Sequence, residues 1–311
     1  REFGVKSGLS IQSAKQKLKN RTDSAFLPAD FEYYSDMSEK SMNIIKKFAD
    51  VFEYVGRDEA YLDVSEKVEQ DFVKASHIAQ QIKNEVREKT KLTCSVGISP
   101  NKLLSKIASG YKKPDGLTTI TPDKISEFMD TLNLEDIHGI GKKTVEKLAE
   151  EGIETISQAK SLDIFALINM FGRKAGTYIH NAIRGIDDEP VKIRAPTLQL
   201  GKITTLKEDS VDYTFLEKSL FELCEKLHTS ILKENKMFRS VGISLTQTDL
   251  SGKTRSRMLR NPTLSLEELK KVSGQLLKET LEDQSIMIRR LGVKVSELSD
   301  IEGQSDITSY F

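Results

Sequence analysis

Gly56-Arg57-Asp58-Glu59-Ala60-Tyr61-Leu62-Asp63 links two short apolar runs, Val51–Val55 and Ala60–Ser65, and reads as the turn and second strand of a hairpin. Neighbouring side chains on a strand point to opposite faces. Asp58 and Glu59 can therefore share one site only at a strand end or in a turn, which Gly56 permits. Two carboxylates held together repel, and divalent cations relieve that repulsion. Two metals about 3.5–4 Å apart can activate an attacking hydroxyl and stabilise a leaving pyrophosphate. Taken alone, an Asp-Glu pair in a turn is more often merely solvated, so its neighbours must decide.

On the N-terminal side, residues 1–29 read as a small helical segment with Ala14 and Leu18 on one face, ended by Leu27-Pro28. A helix over 38–48 follows, with Met42, Ile45 and Phe48 at helical spacing. On the C-terminal side, Phe72, Ala75, Ile78, Ala79, Ile82 and Val86 mark an amphipathic helix over 70–90. Leu92–Ser99 is a short β-branched strand. The helix after it, over 100–110, takes Ser99 as N-cap and Pro100 at its first position. Lys102 and Lys106 stand i, i+4 on that helix, opposite Leu103, Leu104 and Ile107. Such lysines are usually just solvated. The order of features, an acidic turn, a helix, a strand, a Pro-capped helix and then Lys113-Pro114-Asp115-Gly116, argues for a site, with Lys113 able to reach a triphosphate.

With these motifs in register the chain resembles the Y family of DNA polymerases. Asp58-Glu59-Ala60-Tyr61-Leu62-Asp63, Gly97-Ile98-Ser99-Pro100-Asn101-Lys102 and Lys113-Pro114-Asp115-Gly116 match three motifs of that family. The DinB branch, which includes bacterial polymerase IV and the archaeal translesion enzymes, fits best. The resemblance implies two Mg²⁺ ions bound by Asp58 and Glu59, which with them carry catalysis, and dNTP phosphates contacted by Lys113 and Arg1. Arg1 matches the arginine that ends the family's Tyr-x-x-Arg motif. The family's serine two residues before the Asp-Glu pair is Gly56 here, followed by Arg57. Its first metal-binding aspartate has no counterpart in residues 1–311. The chain opens on Arg1 in mid-motif, and is expected to be an active enzyme's fragment lacking the N-terminal segment.

The fold implied is α+β, a multidomain right hand. Residues 1–29 would be a fingers remnant, 30–120 the palm, 121–187 a helical thumb, 188–197 a linker, 198–296 the little finger and 297–311 a flexible tail. From Pro122 to Asp187 the chain reads as helix and tight turn only. Within it, Ile137-His138-Gly139-Ile140-Gly141-Lys142-Lys143 resembles a helix-hairpin-helix: its glycines allow close backbone approach, and the next helix offers free N–H groups to a phosphate. Gly139, Gly141, Lys142 and Lys143 are the DNA contacts expected there. Phe171-Gly172-Arg173-Lys174-Ala175-Gly176 reads as a plain helix–helix turn in preference to a second, degenerate hairpin.

After the Pro-containing linker, a β-α-β-β-α-β order predicts an antiparallel sheet with two helices on one face, with strands at 198–206, 237–249, 254–260 and 285–296 and helices at 211–234 and 264–281. Lys253, Arg255 and Arg257 alternate along one strand and line one face of it. With Lys202, in the strand that opens the domain, they are expected to make sequence-independent phosphate contacts. The terminal Gln304, Ile307, Tyr310 and Phe311 match the four anchors of a PCNA-type sliding-clamp peptide, with one 3₁₀ turn bringing the apolar anchors to one side.

Bulk properties narrow the classes further. The chain has 311 residues, enough for about two to three domains, with 38% hydrophobic and 30% charged residues. Lys plus Arg and Asp plus Glu both number 47, so any DNA affinity comes from local patches and not from net charge. Cys94 and Cys224 form no CxxC pair, and His77, His138, His180 and His228 have no zinc-ligand spacing. No apolar run approaches the roughly 20 residues of a membrane helix.

The expected activity is low-fidelity, template-directed translesion synthesis from dNTP onto a primer 3′-hydroxyl, by a monomer inside an archaeal or eukaryotic cell; in a prokaryote that means the cytoplasm, in association with the nucleoid. The other reading is a non-catalytic adaptor that binds DNA and the sliding clamp through an inactive palm.

Overall fold

The computed structural model describes residues 2–193, 197–281 and 287–301. The chain divides into two compact units, 1–194 and 195–311. In the first, helices α1 (Ile11–Lys17) and α2 (Phe31–Lys46) precede a hairpin of β1 (Val51–Gly56) and β2 (Glu59–Asp63). Then come α3 (Phe72–Thr90), β3 (Val96–Ile98), α4 (Lys102–Tyr111) and β4 (Leu117–Thr119). Five short helices complete the unit: α5 (Ile125–Asp130), α6 (Lys142–Glu150), α7 (Ile156–Lys160), α8 (Ile164–Phe171) and α9 (Arg173–Ala182).

Caps explain where these elements begin. The helix expected at 38–48 starts earlier, at Phe31, because the Asp30 carboxylate accepts from the Tyr33 N–H at 3.0 Å. Asp71 caps α3 in the same way through Val73 and Lys74. For α4 the cap is Asn101 and not Ser99. Asn101 Oδ1 accepts from the Leu104 N–H at 2.9 Å, so Pro100 lies before the helix. Ser99 Oγ instead donates to the Asn101 carbonyl at 2.7 Å. In residues 2–29 only Ile11–Lys17 is helical, and Leu27 is 86% exposed. The strand expected over 92–99 shrinks to Val96–Ile98, because its parallel partner β4 is itself three residues long.

Two apolar clusters hold the first unit. Ile44, Ile82 and Val86 pack α2 against α3, with Leu62 of the hairpin beside them. The larger cluster runs from Leu104 on α4 through Met129, Leu134, Leu148 and Leu167 to Ile183, so α4 shares one core with α5–α9. Strand β3 lies directly on α4. A Cβ on Gly97 would stand 2.1 Å from the Ser105 carbonyl oxygen.

The second unit contains β5 (Gln199–Ser210), α10 (Tyr213–Lys233), β6 (Lys236–Gln247), β7 (Gly252–Thr263), α11 (Leu266–Leu281) and β8 (Ile288–Asp300). Its sheet has the order β5-β8-β6-β7 and is antiparallel throughout, with β5 and β7 longer than the sequence pattern suggested. Leu220 and Leu227 of α10 and Leu277 of α11 bury against Phe238, Val241 and Val293. The fold is α+β. Among the described residues no helix is long and apolar enough to cross a membrane.

Candidate active site and nucleic-acid interface

The hairpin turn consists of Arg57 and Asp58, and β2 begins at Glu59. Helix α2 tethers this turn: Ser38 Oγ donates to the Arg57 carbonyl at 2.5 Å, and the Arg57 guanidinium stands 5.6 Å from the Phe31 ring centroid. Asp58 and Glu59 are thus held side by side at a strand end.

Helix α4 answers the hairpin with two lysines. Lys106 Nζ donates to Glu59 Oε1. One turn earlier, Lys102 pairs with Glu53 of β1 at 2.9 Å and lies 5.1 Å from the Tyr61 ring centroid. Lys102 is only 9% exposed, and an ammonium so buried requires a carboxylate partner. The basic face of α4 is therefore a docking face for the hairpin. The Lys106 bond holds the Glu59 carboxyl below the usual carboxylate range, with the charges of Lys106, Lys113 and His138 adding to it. Lys113 thus acts on the same carboxylate from the far end of α4. Lys106 was visible in the sequence only as one lysine of an i, i+4 pair, with nothing to name its partner.

Oxygen donors of this kind suit hard divalent cations. Asp58 and Glu59 fit as one side of such a site, and Lys106 pairs with Glu59 there. Among the described residues no group of three or more His, Cys, Asp and Glu is gathered as a metal site. Arg1 lies outside the described residues.

In the helical part, Gly139 has φ +87° and a Cβ there would stand 2.7 Å from Tyr178 Cε1. The Tyr178 hydroxyl donates to the His138 carbonyl, fixing the loop between buried Ile137 and Ile140. Gly141 is the N-cap of α6 and supplies no side chain to its first N–H groups, while Lys142 and Lys143 are exposed beside them. Such a helix end attracts phosphate. Gly172, with φ +81°, separates α8 from α9. A Cβ on Gly176 would stand 2.5 Å from the Leu167 carbonyl oxygen, so that turn permits a close helix crossing.

Lys253, Arg255 and Arg257 share one face of β7, opposite Leu245, Ile243 and Val241 of β6, which places them on the side that carries the helices. Arg257 is engaged there: it donates to Gln275 Oε1 at 2.8 Å and to Glu279 Oε1 at 2.6 Å. Lys202 pairs in register with buried Val293 and shares that side. The other face carries Gly201, Gly242, Gly292, Ser244, Arg290 and Lys294, and among the described residues no helix of this unit covers it. Arg290 and Lys294 escaped the sequence reading. The alternation of Leu291, Val293 and Val295 along β8 is the signal that turns them outward. Gln304, Ile307, Tyr310 and Phe311 lie outside the described residues.

Residues 1–110 match the impB/mucB/samB family, 198–308 the C-terminal domain of that family, and 135–187 the thumb domain of DNA polymerase-iota. DNA polymerase IV of Nitrosopumilus maritimus is 62% identical over 100% of this chain and 85% of its own length. DNA polymerase IV of Saccharolobus solfataricus is 32% identical over 97% of this chain and 84% of its own length. Among solved structures, a Y-family DNA polymerase chimera matches with TM-score 0.86 and 29% identity, over 96% of this chain and 85% of the other. An insertion ternary complex of Dbh DNA polymerase matches over the same shares, with TM-score 0.68 and 29% identity.

Proposed function

The chain belongs to the Y family of DNA polymerases, in its polymerase IV (DinB) branch, and from that membership we propose how its residues divide the work of translesion synthesis. It is a DNA-directed DNA polymerase that copies a template past damage: the primer 3′-hydroxyl displaces pyrophosphate from the α-phosphorus of a bound dNTP. Likeness to the polymerases extends through the palm turn to both ends of the chain and does not favour the adaptor reading.

In our reading Asp58 and Glu59 hold divalent cations, Mg²⁺ in the cell. When bound, such an ion lowers the pKa of the attacking hydroxyl and neutralises charge on the triphosphate. Lys113 contacts the triphosphate and, with Arg1, orients it for in-line attack. Supporting this is one observation above the others: Glu59, beside Asp58 at the strand end, is paired with Lys106 of α4, the helix that leads into Lys113. Primer extension opposite an abasic template site tests it. Asp58→Ala is expected to abolish synthesis at unchanged DNA affinity, and equal synthesis by both proteins would overturn it.

For DNA we assign the hairpin Gly139, Gly141, Lys142 and Lys143, together with Lys202, Lys253 and Arg255. Arg257 joins them only by leaving Glu279, and Arg290 and Lys294 on the open face are added. We take 1–29 as fingers, 30–120 as palm, 121–187 as thumb, 188–197 as linker, 198–296 as little finger and 297–311 as tail. The terminal Gln304, Ile307, Tyr310 and Phe311 would bind a PCNA-like clamp. The protein would work as a monomer on chromosomal DNA, in the cytoplasm of a prokaryote.

A further inference from the structure

The turn 113–116 is gripped from behind by side chains of α3 that have no part in the chemistry described above. Lys83 is 8% exposed, and its ammonium donates to the Cys94 carbonyl at 2.7 Å, the Asp115 carbonyl at 2.9 Å and Asp115 Oδ1 at 2.5 Å. An ammonium has three protons, so the Lys83 donors are used up inside the protein and none remains for a ligand. Arg87, one helical turn further, donates to the second oxygen of the same carboxylate. Asp115 has φ +53°, a conformation that non-glycine residues seldom adopt without such restraint.

Gly116 closes the grip. Its N–H donates to Ser95 Oγ at 3.2 Å, and its carbonyl accepts from the Val96 N–H at 3.0 Å. A Cβ there would stand 2.2 Å from the Lys112 carbonyl oxygen. The backbone that follows Lys113-Pro114 is thereby fixed to α3 and β3, while the Lys113 side chain stays exposed. A buried ammonium is costly, and Lys83 places it on a turn whose other lysine, Lys113, stays exposed.

We propose that Lys83, backed by Arg87, is a positioning residue for nucleotide binding, which acts through Asp115 to hold the backbone from which Lys113 reaches the triphosphate. This rests on the assignment of Lys113 made above. Misplacement of a contact by about 1 Å can cost a hundredfold, so a loosened turn is expected to weaken dNTP use without touching the chemical groups.

Single-nucleotide insertion kinetics and backbone hydrogen exchange over residues 112–117 test it, using Lys83→Met, Lys83→Arg, Lys113→Ala and the Lys83→Met/Lys113→Ala double variant. Lys83→Met is expected to speed exchange in the turn and raise KM for dNTP about tenfold, with kcat and primer-template affinity near wild type. Lys83→Arg should recover most of both, and Lys83→Met should add nothing once Lys113 is gone. If Lys113→Ala leaves KM unchanged, the Lys113 assignment fails and this proposal with it. If Lys113→Ala raises KM but Lys83→Met does not, or if their effects multiply in the double variant, Lys83 is structural only and the proposal falls while the Lys113 assignment stands. Should Lys83→Met not fold, Asp115→Asn carries the same comparison, since asparagine also tolerates positive φ.

Discussion

At the scale of single residues, the site is built from charges that neutralise one another. Glu59 meets Lys106, Glu53 meets Lys102, and Asp115 meets Lys83 and Arg87. The Asp115 carboxyl is held below its ordinary value of 3.8 chiefly by the bond from Lys83, with the charges of Lys83 and Arg87 adding to it. A carboxyl with a depressed pKa contributes stability that is present above its unfolded value and lost as pH falls through the folded one. Exchange protection of residues 112–117 should therefore persist when the pH drops to 3.8 and vanish only below it. In Lys83→Met the loss should move up toward that ordinary value. An identical acid profile for the two proteins would mean that Asp115 does not hold the turn.

At the scale of elements, glycines in the adjoining β3 and α4 do opposite things. A Cβ at Gly97 would collide with the Ser105 carbonyl oxygen at 2.1 Å and the Ser109 nitrogen at 2.5 Å, whereas nothing lies within 4 Å of one at Gly110. Gly97→Ala is therefore expected to cost about 1–3 kcal/mol or more in denaturant unfolding, by forcing β3 off α4. Gly110→Ala, inside α4, should be neutral or stabilising by up to about 1 kcal/mol. Equal effects would contradict the packing of β3 on α4.

Periodicity made most of the elements legible. The stripe Ala75, Ala79, Ile82 and Val86 reveals α3, and alternation reveals the strands of the second unit. The start of α2 and the cap of α4 were misjudged because Ser, Asp and Asn compete to begin a helix, and only the geometry of Asp30 and Asn101 decides it. The sequence could say that Lys253, Arg255 and Arg257 share a face, but not which face. That depends on register with Leu245, Ile243 and Val241 of the neighbouring strand. Likewise the pairing of Lys106 with Glu59 joins positions 47 apart in the chain, and no local pattern announces it.

At the scale of the whole molecule, the turn proposed for catalysis, the helix-hairpin-helix and the proposed clamp peptide occupy separate stretches of one chain, so their contributions should separate experimentally. Deleting residues 304–311 is expected to abolish stimulation by a PCNA-like clamp while leaving unassisted DNA binding intact. Undiminished stimulation would mean that those residues do not bind the clamp. The account stands or falls on Asp58 and Glu59 gripping the cation that meets the nucleotide. Electron paramagnetic resonance of Mn²⁺, titrated into the polymerase with primer-template and a non-hydrolysable dNTP analogue, reads that grip without requiring turnover. The protein should take up Mn²⁺ in a dNTP-dependent way and lose that uptake in Asp58→Asn/Glu59→Gln; undiminished uptake by the variant would contradict the assignment.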